Sequence, residues 1–270
     1  MLRQRVLTAV VGVLALVIVV FLMPPQIALA FYAAAVLFAA WEWSALARLT
    51  GNRARASYVA AIALLMALAS RYAVAPEAFL ELLILTAGWW AIALLWIIFI
   101  PGRVSRLAAG IAGALVLVPA WTTLSQLQIR LDRGPELVFY VLCLVWAADV
   151  GAYFIGRRFG QRRLAPRVSP GKTWAGVVGG LAGAAVIAAV GAQLFAVPML
   201  AFMLLSIAVA LASIVGDLTE SMFKRSAGLK DSGSFIPGHG GLLDRIDSVT
   251  AAVPLFVLGL AILGDDVWSV

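Results

Sequence analysis

Residues 198–225 read PMLAFMLLSIAVALASIVGDLTESMFKR. Between Met199 and Gly216 there is no charged residue, and the run is close to the ~20 residues that cross a bilayer as a helix. Asp217 stands roughly 20 residues past Pro198, or ~30 Å of helix, which puts it at the membrane edge. The surrounding chain follows the same pattern. Of its 270 residues 64% are hydrophobic and 12% charged, well below the roughly 25% charged of a soluble domain. A folded soluble core could not use so much apolar surface, so the length means many short spans: an all-α, polytopic integral membrane protein.

Nine spans are expected, at 5–22, 26–47, 57–74, 80–100, 104–124, 136–156, 174–195, 197–219 and 247–264. Breaks at Pro24-Pro25, Gly51-Asn52, Pro76, Pro101-Gly102, Arg133-Gly134-Pro135, Pro170-Gly171 and Pro198 separate them. The first run ends in Met23-Pro24-Pro25 rather than an A-x-A-like site, which reads as an uncleaved span. With the N-terminus in the cytosol, alternation leaves only Arg71, Arg130 and Arg133 outside, against 17 of the 20 basic residues inside. That asymmetry predicts an N-in, C-out topology. It also accounts for the net charge of +7 through loops facing anionic headgroups, with no tract resembling a nucleic-acid surface. The single cysteine, Cys143, excludes an intrachain disulfide.

The polar residues are unevenly placed. Residues 1–130 form about five spans with short loops, where Glu42, between Trp41 and Trp43, reads as an interfacial carboxylate in an aromatic belt. Residues 131–270 hold about four spans and two cytosolic segments, 157–173 and 220–246, rich in charge, glycine and proline; function is expected there. On a helix Asp217, Ser221, Lys224 and Arg225 share one face, as either a structural ion pair or a site. An ionisable residue in a span is by default a functional candidate.

A second helix start carries Asp244, Asp247 and Ser248 on one face, behind Pro237-Gly238-His239-Gly240-Gly241. Glycines allow close backbone approach, and helix-start amides suit a phosphate. Two aspartate-bearing helix ends can hold a hard cation between Asp217, Asp244 and Asp247, and magnesium is the natural ion. His239, the sole histidine, is either a turn residue or a phosphate or base contact. In the other segment Asp149 and Tyr153 are one turn apart. Ser169, Lys172 and Thr173 are candidate phosphate ligands, while most nearby arginines face lipid. Gly171-Lys172-Thr173 is not a P-loop: Pro166 stands where the first glycine belongs, and no preceding strand is expected. Gly176, Gly179, Gly180 and Gly183 read as close helix packing.

The pattern Ser221-x-Phe223-Lys224-Arg225-x₄-Lys230-Asp231-x-Gly233-x₂-Ile236-Pro237-x-His239-Gly240-Gly241-Leu242-x-Asp244-Arg245-Ile246-Asp247 resembles the signature of the bacterial phosphatidate cytidylyltransferases, also called CDP-diacylglycerol synthases. The block from Asp149 to Thr173 resembles the same family, except that Ala175 stands where the family often has Glu. The resemblance implies a homodimer in the bacterial inner membrane, with the site facing the cytosol. It implies CTP and phosphatidate as substrates, giving CDP-diacylglycerol and pyrophosphate, and magnesium with potassium beside it. It places metal on Asp217 and Asp244 with Asp247 nearby, and gives catalytic work to Lys224 and Arg225. Ser221, Lys230, Asp231, Arg245 and the 239–241 turn would contact substrate. A transporter would spread polar groups over several spans. A CDP-alcohol phosphotransferase would carry a D-x₂-D-G-x₂-A-R motif, absent here. A catalytically silent scaffold has only Ala175 in its favour.

Overall fold

The computed structural model describes residues 2–102, 104–233 and 240–264. Helix α1 (Leu2–Val17) runs into a π-helical turn, Ile18–Leu22, that ends before Pro24-Pro25. There follow α2 (Pro25–Leu46), α3 (Asn52–Tyr72), α4 (Pro76–Phe99), α5 (Arg106–Arg130) and α6 (Gly134–Phe159). A hairpin of β1 (Arg163–Ala165) and β2 (Ser169–Thr173) leads to α7 (Trp174–Leu194), α8 (Met199–Ser226) and α9 (Leu243–Leu263). Among the described residues, α2 to α9 are eight helices long and apolar enough to cross a membrane. The fold is therefore the expected all-α polytopic one.

Starts follow local chemistry. Pro25 and Pro76 sit in the first turns of α2 and α4, where a missing N–H leaves no helical bond unmade. Ser105 caps α5 by accepting the Ala108 amide at 3.1 Å. Several helices outrun their apolar runs. α3 begins at Asn52 rather than 57, α8 continues to Ser226, and α9 starts at Leu243. Segment 220–246 is thus helical at both ends. Hydropathy marks the apolar run, whereas the backbone ladder continues past it wherever nothing breaks it.

The 157–173 segment corrects an expectation, because two strands form there. β1 and β2 pair antiparallel, Arg163 opposite Thr173 and Ala165 opposite Ser169, and Val168 donates to the Ala165 carbonyl at 3.1 Å to close the turn. Gly171-Lys172-Thr173 lies inside β2 rather than in a loop after a strand, so the exclusion of a P-loop stands on geometry as well as spacing.

Two apolar clusters form the core. One gathers α6 with the first half of α8 and the second half of α9 around Tyr140, Phe202 and Phe256; the other gathers α2, α5, the second half of α8 and the first half of α9 around Trp43 and Phe223. The packing reading of the α7 glycines is correct. A Cβ on Gly179 would lie 2.6 Å from the Gly151 carbonyl and clash with Ile155, and one on Gly183 would lie 2.5 Å from the Ala147 carbonyl. Such backbone-to-backbone approach is how helices associate where lipid offers no hydrophobic gain. Gly179→Ala should therefore lower stability by about 1–3 kcal/mol as α6 and α7 are forced apart, read as a lower melting temperature in detergent.

Candidate active site

The C-terminal part of α6, the N-terminal part of α7, the middle of α8 and the hairpin enclose a cavity of about 620 Å³. Its polar lining includes Asp149, Tyr153, Arg157, Arg163, Lys172 and Asp217, and Val177, Leu181, Ala210 and Ile214 form apolar wall. β2 carries Lys172 across to α8, where its Nζ lies 2.6 Å from Asp217 Oδ2; both side chains are about a quarter exposed, at 25% and 27%. Ser221, one turn further along α8, donates to Asp217 Oδ1 at 3.3 Å. Tyr153 accepts a bond from Arg157 at 2.8 Å at the exposed side of α6. Thr173 is buried and caps α7, its Oγ1 accepting the Gly176 amide at 3.1 Å, so its hydroxyl supports the fold. Ser169 is half-buried in β2 opposite Ala165.

A second group lies between α8 and α9. Lys224 Nζ is 2.6 Å from Asp244 Oδ1 and 3.0 Å from Glu220 Oε1, with Lys224 8% and Glu220 2% exposed. Asp244, in the first turn of α9, also accepts the Gly241 amide at 2.8 Å and the Ser232 amide at 3.0 Å. Gly240 has φ +82, a left-handed backbone that favours glycine. Asp247 Oδ1 accepts its neighbour Ser248's amide at 2.7 Å and faces a tight pocket shared with Glu220, Thr219 and Thr250.

The stripe predicted on α8 therefore divides. Asp217 and Ser221 meet Lys172, Lys224 turns inward to Asp244, and exposed Arg225 lines a different cavity of about 410 Å³ with Arg167. The intrahelical pair of Asp217 with Lys224 or Arg225 is not formed; Asp217 finds its cation on β2, and Lys224 pairs with Glu220 on its own helix and Asp244 on α9. Lys230, Asp231 and Arg245 are exposed around this end of the molecule, while His239 and the Pro237-Gly238 step lie outside the described residues. Two participants escaped the sequence reading. Glu220 precedes Lys224 by one helical turn, a spacing that could have flagged it. Glu42 is 4% exposed and accepts bonds from Ser232 Oγ, Leu242 N and Leu243 N, so it is a buried ligand of the loop rather than an interfacial carboxylate.

Among the described residues, no three His, Cys, Asp or Glu side chains converge as a ready metal site. The donors nevertheless fit a hard cation. Asp217 and Asp149 are carboxylates open to one polar cavity, and the Lys172 ammonium already occupies a cation position on Asp217. Magnesium binds through one or two carboxylates and completes its shell with water and phosphate oxygens, so no larger cluster is required. Asp244 is less free, since its oxygens hold an ammonium and two amides.

Fold and site define an integral membrane protein with cations and carboxylates set beside an apolar-walled cavity. The chain belongs to the cytidylyltransferase family, whose model matches residues 3–263. It is 45% identical over 267 residues to a phosphatidate cytidylyltransferase of Pseudomonas aeruginosa, covering 95% of this chain and 96% of the relative. A phosphatidate cytidylyltransferase of Haemophilus influenzae is 43% identical over 283 residues, covering 95% and 97%. One from Bacillus subtilis is 40% identical over 141 residues, about half of each chain.

Proposed function

We propose that the chain transfers the cytidylyl group of CTP to phosphatidate, giving CDP-diacylglycerol and pyrophosphate, at the inner leaflet of a bacterial cytoplasmic membrane. The observation that carries this reading is the cavity in which Lys172, Arg157 and Arg163 meet Asp149 and Asp217 beside an apolar wall. A lipid phosphate can enter such a space with its tails left in the bilayer. The relatives' names supply the substrates, and the positive-inside count supports a cytosol-facing site in an N-in, C-out chain of nine spans.

In the reaction a phosphatidate oxygen attacks the α-phosphorus of CTP, one P–O bond forms, the bond to the β-phosphate bridge breaks, and pyrophosphate leaves with the electron pair. Two anions must meet, so the barrier is mainly electrostatic, and no covalent protein nucleophile is required. Lys172 and the cavity arginines draw the anions together. Asp217 orients Lys172, and Lys224, buried between Asp244 and Glu220, ties α8 to the start of α9. Lys230, Asp231 and Arg245, exposed near the start of α9, would contact the rest of the nucleotide, and exposed Arg225 would add a further cation. Magnesium, held by Asp217 with Asp149, Asp244 or Asp247 beside it, would neutralise the triphosphate and polarise the α-phosphate. Potassium as a second ion and a homodimer belong to the same proposal.

Purified protein supplied with CTP, phosphatidate and Mg²⁺ should form CDP-diacylglycerol and pyrophosphate in equal amounts, and diacylglycerol in place of phosphatidate should give no product. Absence of CDP-lipid with every acyl chain tried would overturn the reading.

A further inference from the structure

Glu42 is placed where a carboxylate is costly. It lies in the last two turns of α2, 4% exposed, and among the described residues no Lys or Arg pairs with it. A buried charge is tolerated only when hydrogen bonds replace its hydration. Here they come from one source, the chain that surrounds the start of α9. Leu243 N donates at 2.7 Å to Oε2, Leu242 N at 3.2 Å to Oε1, and Ser232 Oγ at 3.2 Å to Oε2. The first amides of a helix have no partner within it, and they carry the positive end of its dipole. α9 has no capping side chain of its own at Leu242. Glu42, some 200 residues earlier, fills that position from another helix.

The loop is thus gripped from two sides. Glu42 takes the Ser232 hydroxyl and the α9 amides, while Asp244 takes the Ser232 and Gly241 amides and Lys224. Two glycines make room: a Cβ on Gly241 would lie 2.6 Å from Glu42 Oε2, and one on Gly233 would collide with Oε1. α2 is itself firmly seated. Trp43 donates to the Ala109 carbonyl at 2.8 Å and packs against Phe223 at 5.4 Å between ring centroids, and Arg48 donates to Ser226 Oγ at 3.0 Å.

We infer that Glu42 is a positioning residue for the site. By capping α9 across the molecule, it sets where Asp244 and Lys224 stand, so the N-terminal helices are part of the machinery. The kinetic side of this inference rests on the cytidylyl-transfer reading; the structural side does not.

Glu42→Gln keeps the shape but turns an amide toward the N–H groups it should accept. In the full-length variant, hydrogen exchange of peptides spanning 240–246 should accelerate at least about tenfold while α6 and α7 exchange as in the wild type. At temperatures well below melting, kcat should fall about ten- to a hundredfold with KM for CTP changed less, because orientation rather than binding is lost. Glu42→Asp should recover part of the kcat. Unchanged exchange, or a kcat within about twofold of the wild type, would overturn the inference. If Glu42→Gln does not fold, Ser232→Ala removes only one bond of the clamp and should show both effects at severalfold size; wild-type behaviour there overturns it equally. Should the wild type itself make no CDP-lipid, the function reading falls while the exchange comparison still decides the clamp.

Discussion

Asp217→Asn should lower CDP-lipid formation about a thousandfold and leave the protein folded. The ion pair it breaks, Lys172 Nζ on Asp217 Oδ2 at 2.6 Å, joins two side chains that are about a quarter exposed at a cavity wall. Such a pair is worth about 1 kcal/mol or less to stability, so the melting temperature should hardly move. The chemistry loses far more. An asparagine cannot balance a cation, so Lys172 loses the partner that aims it, and the proposed magnesium would lose a carboxylate donor. Steady-state kinetics beside a melting curve separate the two. Near-normal turnover would remove Asp217 from the site, whereas a loss of activity that follows a loss of fold would make the pair merely structural.

Asp244→Asn should fail in both respects. One oxygen pair holds Lys224 Nζ at 2.6 Å, the Gly241 amide at 2.8 Å and the Ser232 amide at 3.0 Å, and the side chain is only 7% exposed. Replacement leaves Lys224 buried with Glu220 as its remaining ion-pair partner among the described residues and sets an NH₂ against backbone donors. Removing one partner of a buried pair costs about 3–5 kcal/mol; with Glu220 still present, about 2–4 kcal/mol is expected. Turnover should fall at least about a hundredfold, since the cation and the loop lose position together. A variant that melts like the wild type and turns over normally would show that Asp244 does neither job.

The spans were legible in the sequence because the bilayer demands long apolar helices, and no other backbone arrangement survives within it except a closed barrel. Their ends were less so: Asn52–Arg55 and Ser221–Ser226 carry charges yet are helical, and hydropathy cannot see backbone hydrogen bonds that continue past the apolar run. The hairpin was missed because strands of three and five residues interrupted by Pro170 show no usable alternation. At the site, spacing found Asp217, Ser221, Lys224 and Asp244, and glycine chemistry found the turn at Gly240. What spacing could not give was the partnership between elements. Lys172 reaches Asp217 from a strand whose existence was unexpected, and Glu42 meets Ser232 across 190 positions. A carboxylate between two tryptophans in a span reads equally well as a rim residue until the helices are packed around it.

The central claim is transfer of the cytidylyl group to a lipid phosphate, and isotopic labelling tests it most directly. Purified protein should be given phosphatidate and Mg²⁺ with CTP labelled in parallel at the α- and γ-phosphates. The account predicts that α-label enters the lipid fraction while γ-label leaves as pyrophosphate. Label from the γ-position in lipid, or none from either position, would contradict it.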